Sequence, residues 1–350
     1  MSKPKLAVFG MHHGFKHASD VRHGDFAELV AVCGNTELSR QRAAQLGVPI
    51  FEDIEGCLKA IEGKVDGAVL ALPNDLHWPV AKACAERGIH VLVEKPIAST
   101  VEEAEKIAGL VEKYGVKVLV GHHRRFSARM REARQQITGG GIGKLIGCSV
   151  LWVAKKPDSY FEMEWRVTPE KGGGPLMINT IHDVDDIRYA TGEEFDWVFA
   201  KATNIVRGFK VEDVVTISFG LKSGAMGTIF VSDGVPSPWF YESNARENLF
   251  FWPTFENSYF FFGTEGSLAF PNLKKYSYCE SSGVGWEHPL KEEAIPVTHK
   301  VDPMTEEIMH FCRVIQGSEP PLVTPEDATV TLRVIYAIKE SISKGMPISL

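Results

Sequence analysis

The stretch that decides the fold is Val91-Leu-Val-Glu-Lys-Pro96, in which three apolar residues run directly into Glu94, Lys95 and Pro96. An uninterrupted apolar run rich in β-branched residues is typical of a strand buried in a parallel sheet. Pro96 lacks a backbone N–H and restricts the residue before it, so the strand is predicted to end there. Lys95 then lies at the carboxyl end of the strand, where open α/β sheets bind ligands and where a lysine can move a proton. The alternative is a surface lysine beside a solvated Glu94.

Outward from this strand, short apolar runs alternate with helical segments. Strands are predicted at 5–9, 28–33, 65–72, 91–93 and 116–120, and helices at 37–46, 78–87 and 101–114. Strands that alternate with helices of ten to fifteen residues build βαβ units. We therefore expect a parallel, doubly wound α/β sheet in the first part of the chain.

Length and composition limit the classes of protein that remain. The chain has 350 residues, of which 44% are hydrophobic and 24% are charged. Its length exceeds the about 250–300 residues that one core usually holds, so two domains are expected. A net charge of −7 argues against a nucleic-acid partner, and no apolar run is long enough to span a membrane. No signal peptide is recognised, and the six cysteines are scattered without a C-x-x-C pair. A cytoplasmic location is the simplest expectation.

The first strand is followed by a glycine turn, Gly10-Met-His-His-Gly14. A strand, a glycine turn and a helix place backbone amides where a dinucleotide pyrophosphate binds. The G-x-G-x-x-G pattern is absent, and an ordinary tight turn is the alternative. No acid follows the second strand at 33–35, where one usually binds the ribose hydroxyls. Asn35 and the nearby Arg40 and Arg42 therefore favour NADP slightly over NAD.

Five further segments occur in one order along the chain: Leu72-Pro-Asn-Asp-Leu-His77, Val93-Glu-Lys-Pro96, Gly121-His-His-Arg-Arg-Phe126, Gly172-Gly-Gly-Pro-Leu-Met-Ile-Asn-Thr-Ile-His-Asp183 and Gly263-Thr-Glu-Gly-Ser-Leu268. Together with the glycine turn and the tail from Thr324, they resemble the glucose–fructose oxidoreductase, inositol dehydrogenase and rhizopine catabolism (Gfo/Idh/MocA) superfamily from end to end. Each segment alone is unspecific, whereas the ordered set is specific.

The resemblance implies a Rossmann domain at 1–124, braced by a C-terminal helix at about 324–345. It implies an α+β domain at 125–323 with a large open, mainly antiparallel sheet that binds substrate and forms a homodimer or homotetramer. The implied activity is hydride exchange between NAD(P) and a hydroxyl or ketone of a sugar, polyol or sugar acid, with no nucleic-acid or membrane partner.

The implied site residues fall into three overlapping groups. The catalytic candidates are Lys95, which contacts the reacting hydroxyl, His182, which pairs with it, and Asp183. The cofactor-binding candidates are Gly10, His12, His13, Gly14, Asn35, Arg40, Pro73, Asn74, His77, Glu94, Lys95 and Arg124. The substrate-binding candidates are Lys95, His122, Asn179, His182, Trp239 and Glu242.

One departure from the family pattern concerns the proton relay. Many members have an aspartate four residues before the histidine, on the same helix face, but here that position is Ile178. The relay is therefore expected to use Lys95 and His182 alone, or to include Asp183.

Two other features leave alternatives open. His182, Asp185 and Asp186 share a helix surface and could hold a divalent ion, or the acids could pair with Arg188 and neighbouring bases; we expect no metal. The proline-rich segment 233–242 presents Trp239 and Glu242 either to a sugar or to the core.

Two other functions compete with a dehydrogenase. A glycosidase that oxidises its sugar only transiently would keep the same cofactor, and net formation of reduced cofactor distinguishes the two. A nucleotide-bound sensor without catalysis is the third possibility, and the altered glycine turn and Ile178 leave it open.

Overall fold

Two compact units divide the chain, one made of Met1–His123 and Pro303–Leu332, the other of Arg124–Asp302 and Arg333–Leu350. The structure is a computed structural model that describes residues 2–248, 250–279, 281, 283–297 and 301–350. Among these residues, no helix combines the length and apolarity that crossing a bilayer requires.

The first unit is built on a six-stranded parallel sheet of order β3-β2-β1-β4-β5-β6. Its strands are β1 Lys5–Phe9, β2 Glu28–Cys33, β3 Ile50–Phe51, β4 Gly67–Leu70, β5 His90–Glu94 and β6 Val118–Gly121. Its helices include α1 Gly14–His23, α2 Glu37–Leu46, α3 Ile54–Ile61, α4 His77–Ala85 and α5 Val101–Tyr114. The doubly wound α/β prediction is confirmed, and the order reverses between β1 and β4, which opens a crevice at their carboxyl ends.

Local signals set most helix ends in this unit. Thr36 and Thr100 accept hydrogen bonds from backbone amides in the first turns of α2 and α5, and Gly47 and Gly115 end those helices in the left-handed conformation. Both helices have the predicted bounds.

The helix α9, Pro303–Ile315, belongs to the first unit, whereas the sequence analysis places residues 303–323 in the second domain. The reason is close packing: a Cβ on Gly67 of β4 would lie 2.8 Å from Ile315 and 3.0 Å from Phe311. Only a glycine on β4 lets the helix approach this far. The last helix, α10 Pro325–Lys344, begins in the first unit and ends in the second.

The second unit contains a nine-stranded sheet of order β14-β13-β12-β11-β7-β10-β9-β8-β15. The strands are β7 Leu145–Val153, β8 Phe195–Thr203, β9 Val214–Leu221, β10 Met226–Ser232, β11 Tyr259–Gly263, β12 Ser267–Phe270, β13 Lys274–Tyr278, β14 Leu290–Ala294 and β15 Ile348–Ser349. Only β7 and β10 pair in parallel, so the mainly antiparallel sheet is confirmed among the described residues. Strand β11 lies in a part of the sequence rich in aromatic residues, an aromatic run that extends up to Phe262. The sequence analysis did not predict β11 as a strand.

Helix α7, Ile181–Thr191, is buried along almost its whole length, and α6, Ala128–Thr138, packs against it. The segment before α7 departs from an α-helix: Leu176–Thr180 forms a π-helical turn. Such turns often occur at functional sites, and this one carries Asn179. A short helix, α8 Tyr241–Ala245, replaces part of the predicted loop at 233–242. Single-turn 3₁₀ helices lie at Asn74–Leu76, His123–Phe126, Asp158–Glu162, Glu164–Val167 and Pro169–Lys171.

Gly10 lies in the turn after β1, and its substitution tests how closely the backbone packs there. Its φ is +88°, and a Cβ there would lie 2.1 Å from the carbonyl oxygen of Ala71. We expect Gly10→Ala to lower the free energy of unfolding by more than ~3 kcal/mol, because left-handed strain adds to a backbone overlap. Gly63 is the matched control: its φ is +68° and nothing lies within 4 Å of its Cβ position.

Gly63→Ala should cost only about 1 kcal/mol. Urea unfolding followed by circular dichroism measures both variants. Equal losses in the two variants would contradict the assigned close approach of Gly10 to Ala71.

Candidate functional site

The turn between β1 and α1 is shaped by contacts from a neighbouring helix. Nη1 of Arg42 on α2 donates to the carbonyl oxygens of Met11 (2.6 Å) and His12 (2.9 Å). The same guanidinium stacks over the ring of Phe15, 4.7 Å from its centroid. Arg42 therefore fixes the turn, although the sequence analysis considered it as a source of charge for a 2′-phosphate.

The residues of this turn fit a dinucleotide. Gly10 leaves room that a Cβ would fill, and a Cβ on Gly14 would lie 3.0 Å from both Ala71 and Val8. No side chain caps the start of α1 at His13, so the first amides of the helix have no side-chain acceptor. Open amides at a close backbone approach are what a pyrophosphate requires.

Glu94 is a buried carboxylate of the first unit that lies close to two histidines. It is 4% exposed, and its Oε1 lies 2.7 Å from Nε2 of His17 and 3.3 Å from Nε2 of His13. Its Oε2 accepts a hydrogen bond from the backbone N–H of Lys95 at 3.2 Å. Burial alone would raise the pKa of Glu94, but the two histidines hold that pKa well below its ordinary value. The carboxylate is therefore ionised and ties the turn after β1 to the end of β5.

Lys95 follows directly, and its peptide bond to Pro96 is cis. The loop after it is held by His77, which is fully buried. Nδ1 of His77 is 3.0 Å from the carbonyl oxygen of Pro96, and Nε2 is 3.0 Å from that of Leu72. Burial lowers the pKa of His77, so the ring is neutral and donates one of its two contacts at a time. His77 thus positions the loops after β4 and β5, and its contact with a cofactor stays a prediction.

A second buried carboxyl lies near Glu94. Glu307 on α9 is 0% exposed, and neither of its oxygens has a hydrogen-bond partner among the described residues. Burial, and then the charge of Glu94, raise its pKa well above the ordinary value, so Glu307 is protonated. No motif in the sequence identifies Glu307, and only the packing of α9 brings it to this place.

The remaining cofactor candidates of the first unit lie at strand ends. Asn35 is exposed after β2, and Pro73 and Asn74 follow β4. Arg40 is exposed on the first turn of α2 and pairs with Glu37 at 3.0 Å and Glu52 at 2.7 Å. Among residues 33–35 there is no carboxylate, as the sequence states. His122, a substrate candidate, is buried just after β6.

The second unit has its own buried charge network, centred on Arg124, which is 1% exposed. Its Nη1 donates to Asp186 (2.7 Å) and Asp183 (3.2 Å), and its Nη2 donates to Glu242 (2.6 Å). The hydroxyl of Tyr259 lies 2.5 Å from Asp183 and 2.8 Å from Asp186. The guanidinium is enclosed by residues of the second unit, and its predicted contact with a cofactor is untested.

In this network the single cation of Arg124 lies among three acids, and the pKa values of these acids therefore differ. Burial raises the pKa of Asp183 to about 6 and that of Asp186 to about 7, against the opposing charge of Arg124. Burial would also raise the pKa of Glu242, but Arg124 lowers it, with help from Trp152 Nε1, which donates at 3.1 Å. Glu242 is therefore the ionised partner, and the two aspartates hold a proton near neutral pH.

The acids of α7 pair with arginines. Asp185 accepts from Arg125 Nη2 (2.6 Å) and Nε (2.8 Å), and Arg188 lies 3.9 Å away. This arrangement matches the alternative to a divalent site on α7, in which the acids pair with neighbouring bases.

Asn179 and His182 lie on consecutive turns, the π-helical turn and the start of α7. Nζ of the buried Lys156 donates to Oδ1 of Asn179 at 2.8 Å and lies 3.2 Å from Asp233. Lys156 also packs over the ring of Tyr160, 4.7 Å from its centroid. The sequence analysis did not identify Lys156, because its hydrogen-bond and ion-pair partners, Asn179 and Asp233, are 23 or more residues away and no local pattern links them.

The aromatic candidate Trp239 is 45% exposed, as a loop that presents its ring would require. Glu242, by contrast, is held by Arg124 and Trp152, with 16% of its side chain exposed. The two candidates of the segment 233–242 therefore differ: one is available to a ligand, and the other mainly stabilises the network.

Comparisons with known proteins match both units. Residues 5–122 match the model of the GFO/IDH/MocA oxidoreductase family, NAD-binding Rossmann fold, and residues 130–269 match the GFO/IDH/MocA C-terminal domain. The rhizopine catabolism protein MocA of Rhizobium meliloti is 30% identical over 266 residues, which cover 72% of this chain and 80% of that protein. The myo-inositol 2-dehydrogenase of Thermotoga maritima is 25% identical over 354 residues, covering 99% and 98%.

A solved structure agrees in fold. The aldose-aldose oxidoreductase of Caulobacter crescentus superposes with a TM-score of 0.79 at 23% identity, covering 100% of both chains.

The raised pKa of Asp186, about 7 against an ordinary 3.8, predicts a pH-dependent stability. Between about pH 4 and 7 the folded state binds more protons than the unfolded state, so the free energy of unfolding falls as pH rises through this window. Asn does not titrate. We therefore expect Asp186→Asn to show a smaller fall in Tm between pH 5 and pH 8 than the wild type.

Differential scanning calorimetry at the two pH values measures this slope. The control is Asp75→Asn, at an exposed position, which should keep the wild-type slope. An unchanged slope in Asp186→Asn would show that Asp186 is ionised throughout.

Proposed function

The chain belongs to the Gfo/Idh/MocA oxidoreductase family, and on that premise we propose that Lys95 and His182 handle the proton while a hydride passes between NAD(P) and a sugar, polyol or sugar acid. The family and its relatives are dehydrogenases and oxidoreductases that act on CH–OH groups, so the chain is an NAD(P)-dependent oxidoreductase of sugars or polyols. The observation that carries the proposal is the position of Lys95 at the carboxyl end of β5, where its backbone N–H donates to the ionised Glu94.

The proposed roles follow from the chemistry of the groups. When bound, NAD(P) supplies the acceptor or donor of the hydride. The Lys95 amine contacts the reacting hydroxyl and takes or returns its proton, and His182 positions that hydroxyl or acts as the base. Ile178 replaces the acid of the family pattern, so no aspartate precedes His182 on its helix face.

We assign Asp183 a supporting role rather than contact with substrate. Its carboxylate is 0% exposed and held by Tyr259 and Arg124, which fixes the helix that carries His182. Asn179 and Trp239 are the proposed substrate contacts in the second unit, because one is oriented by Lys156 and the other is exposed. The names of the relatives, an inositol dehydrogenase and a xylose dehydrogenase among them, support a polyol or sugar as substrate.

We also propose that copies of the chain associate through the nine-stranded sheet. Alternate residues of neighbouring strands share one face, and Met226, Phe230 and Phe262 on that face are 61%, 37% and 43% exposed. Large apolar side chains on one sheet face favour an interface. We propose a cytoplasmic location, because five of the six cysteines are buried without a disulfide.

Lys95→Ala tests the catalytic assignment. We expect turnover to fall at least ~10³-fold, because the proton then has no acceptor at the hydroxyl, while the dinucleotide still binds. Reduced-cofactor absorbance against a panel of sugars, polyols and sugar acids measures turnover, and fluorescence titration with NAD(P)H measures binding. Net reduced cofactor also distinguishes a dehydrogenase from a glycosidase that oxidises transiently.

The control is Lys59→Ala, at an exposed lysine on α3, which should keep wild-type turnover. Turnover of Lys95→Ala within a few-fold of the wild type would remove Lys95 from the mechanism.

A substitution of Arg40 tests the preference for NADP. Residues 33–35 contain no acid that would repel a 2′-phosphate, and the ion pairs of Arg40 with Glu37 and Glu52 are exposed and therefore weak. We expect Arg40→Ala to lower kcat/KM for NADP about tenfold and to leave that for NAD unchanged, since a 2′-phosphate gains a charge-assisted bond. Gln41→Ala, on the same helix, is the control. A wild type that prefers NAD would contradict the preference itself.

A further inference from the structure

Three metal-ligating side chains of the first unit converge at the start of α1. His13 is the N-cap residue of α1 and His17 follows four residues later, so both imidazoles lie on one face of the helix. Glu94 reaches them from the end of β5. One ligand atom from each of the three residues lies within 4.8 Å of the other two.

We propose that His13, His17 and Glu94 form a three-ligand site for a transition-metal ion of the Zn²⁺ class. Two imidazoles and one carboxylate are a donor set that Zn²⁺ accepts, whereas Mg²⁺ and Ca²⁺ take oxygen ligands. The site shares Glu94 and the cofactor-binding candidate His13 with the proposed function, and its test measures metal binding rather than turnover.

One distance between the donor atoms already fits such an ion, and another must widen. Tetrahedral Zn²⁺ with ligands at its usual bond lengths holds them about 3.4 Å apart. Nε2 of His13 already lies 3.3 Å from Oε1 of Glu94. Nε2 of His17 lies 2.7 Å from the same oxygen, and this contact would widen by about 0.7 Å on binding.

Two of the three ligand side chains are buried and one is exposed, as a site that takes up an ion from solvent requires. The side chains of His17 and Glu94 are 0% and 6% exposed, so the protein holds two ligands in place before an ion arrives. The side chain of His13 is 53% exposed and gives the ion a path from solvent. Three protein ligands leave one coordination position for water or a phosphate oxygen.

The test is a titration of the full chain, free of any polyhistidine tag and of dinucleotide, with Co²⁺ and then Zn²⁺. We expect one Co²⁺ per chain with the strong visible absorption of a four-coordinate ion, and displacement of that absorption by Zn²⁺. His13→Ala should weaken Zn²⁺ binding in calorimetry roughly 100-fold, since one of three ligands is lost. Because His13 is half exposed, this variant should fold normally.

The matched control is His23→Ala, at an exposed histidine on the last turn of the same helix. It should bind Zn²⁺ like the wild type. Glu94→Gln, with its fold checked by circular dichroism, should lose the ion as His13→Ala does. Wild-type affinity in His13→Ala, an equal loss in His23→Ala, or no stoichiometric binding by the wild type would each overturn the site.

Discussion

The ionised carboxylate of Glu94 is the constraint on which the first unit depends. A buried carboxylate is tolerated only when it is paired and hydrogen-bonded. Glu94 meets this requirement through His17, His13 and the backbone N–H of Lys95. The same contacts tie the glycine turn to the end of β5, so the proposed cofactor turn and the proposed proton carrier share one anchor. A change in that anchor would move both at once.

The second unit depends on a comparable constraint with the signs reversed. There a single buried guanidinium, that of Arg124, compensates the acids around it, and Glu242 and Asp186 accept its shortest hydrogen bonds. Arg125, in the 3₁₀ turn His123–Phe126, forms a bidentate pair with Asp185 of α7. Helix α7 is therefore held by its acids, which leaves His182 at its start with a fixed backbone. Both units thus surround their catalytic candidates with buried, compensated charge.

Local sequence signals predicted the elements that they control. A threonine cap and a terminal glycine gave α2 and α5 their observed bounds, and the apolar run at 28–33 gave β2. The short β3 and the helix α3 were not predicted, and the aromatic run hid β11, since its residues alternate between two faces that are both partly apolar. The positions of Gly10 after β1, Lys95 after β5 and His182 in α7 were predictable because local motifs carry them, and their roles stay predictions. The charged contacts of Arg124, Lys156 and Glu307 were not predictable, because those partners lie from 23 to more than 200 residues away and meet only after folding.

The division of α10 between the two units has a consequence for dissecting the chain. The first unit needs residues from both ends of the sequence, Met1–His123 and Pro303–Leu332, and the division falls inside an uninterrupted helix. No single cut in the gene yields either unit intact, since each cut removes α9 or severs α10. Separate expression of the nucleotide-binding unit would require a fused gene in which a linker replaces the second unit. During synthesis, the first unit cannot complete its fold until the residues up to Leu332 have left the ribosome.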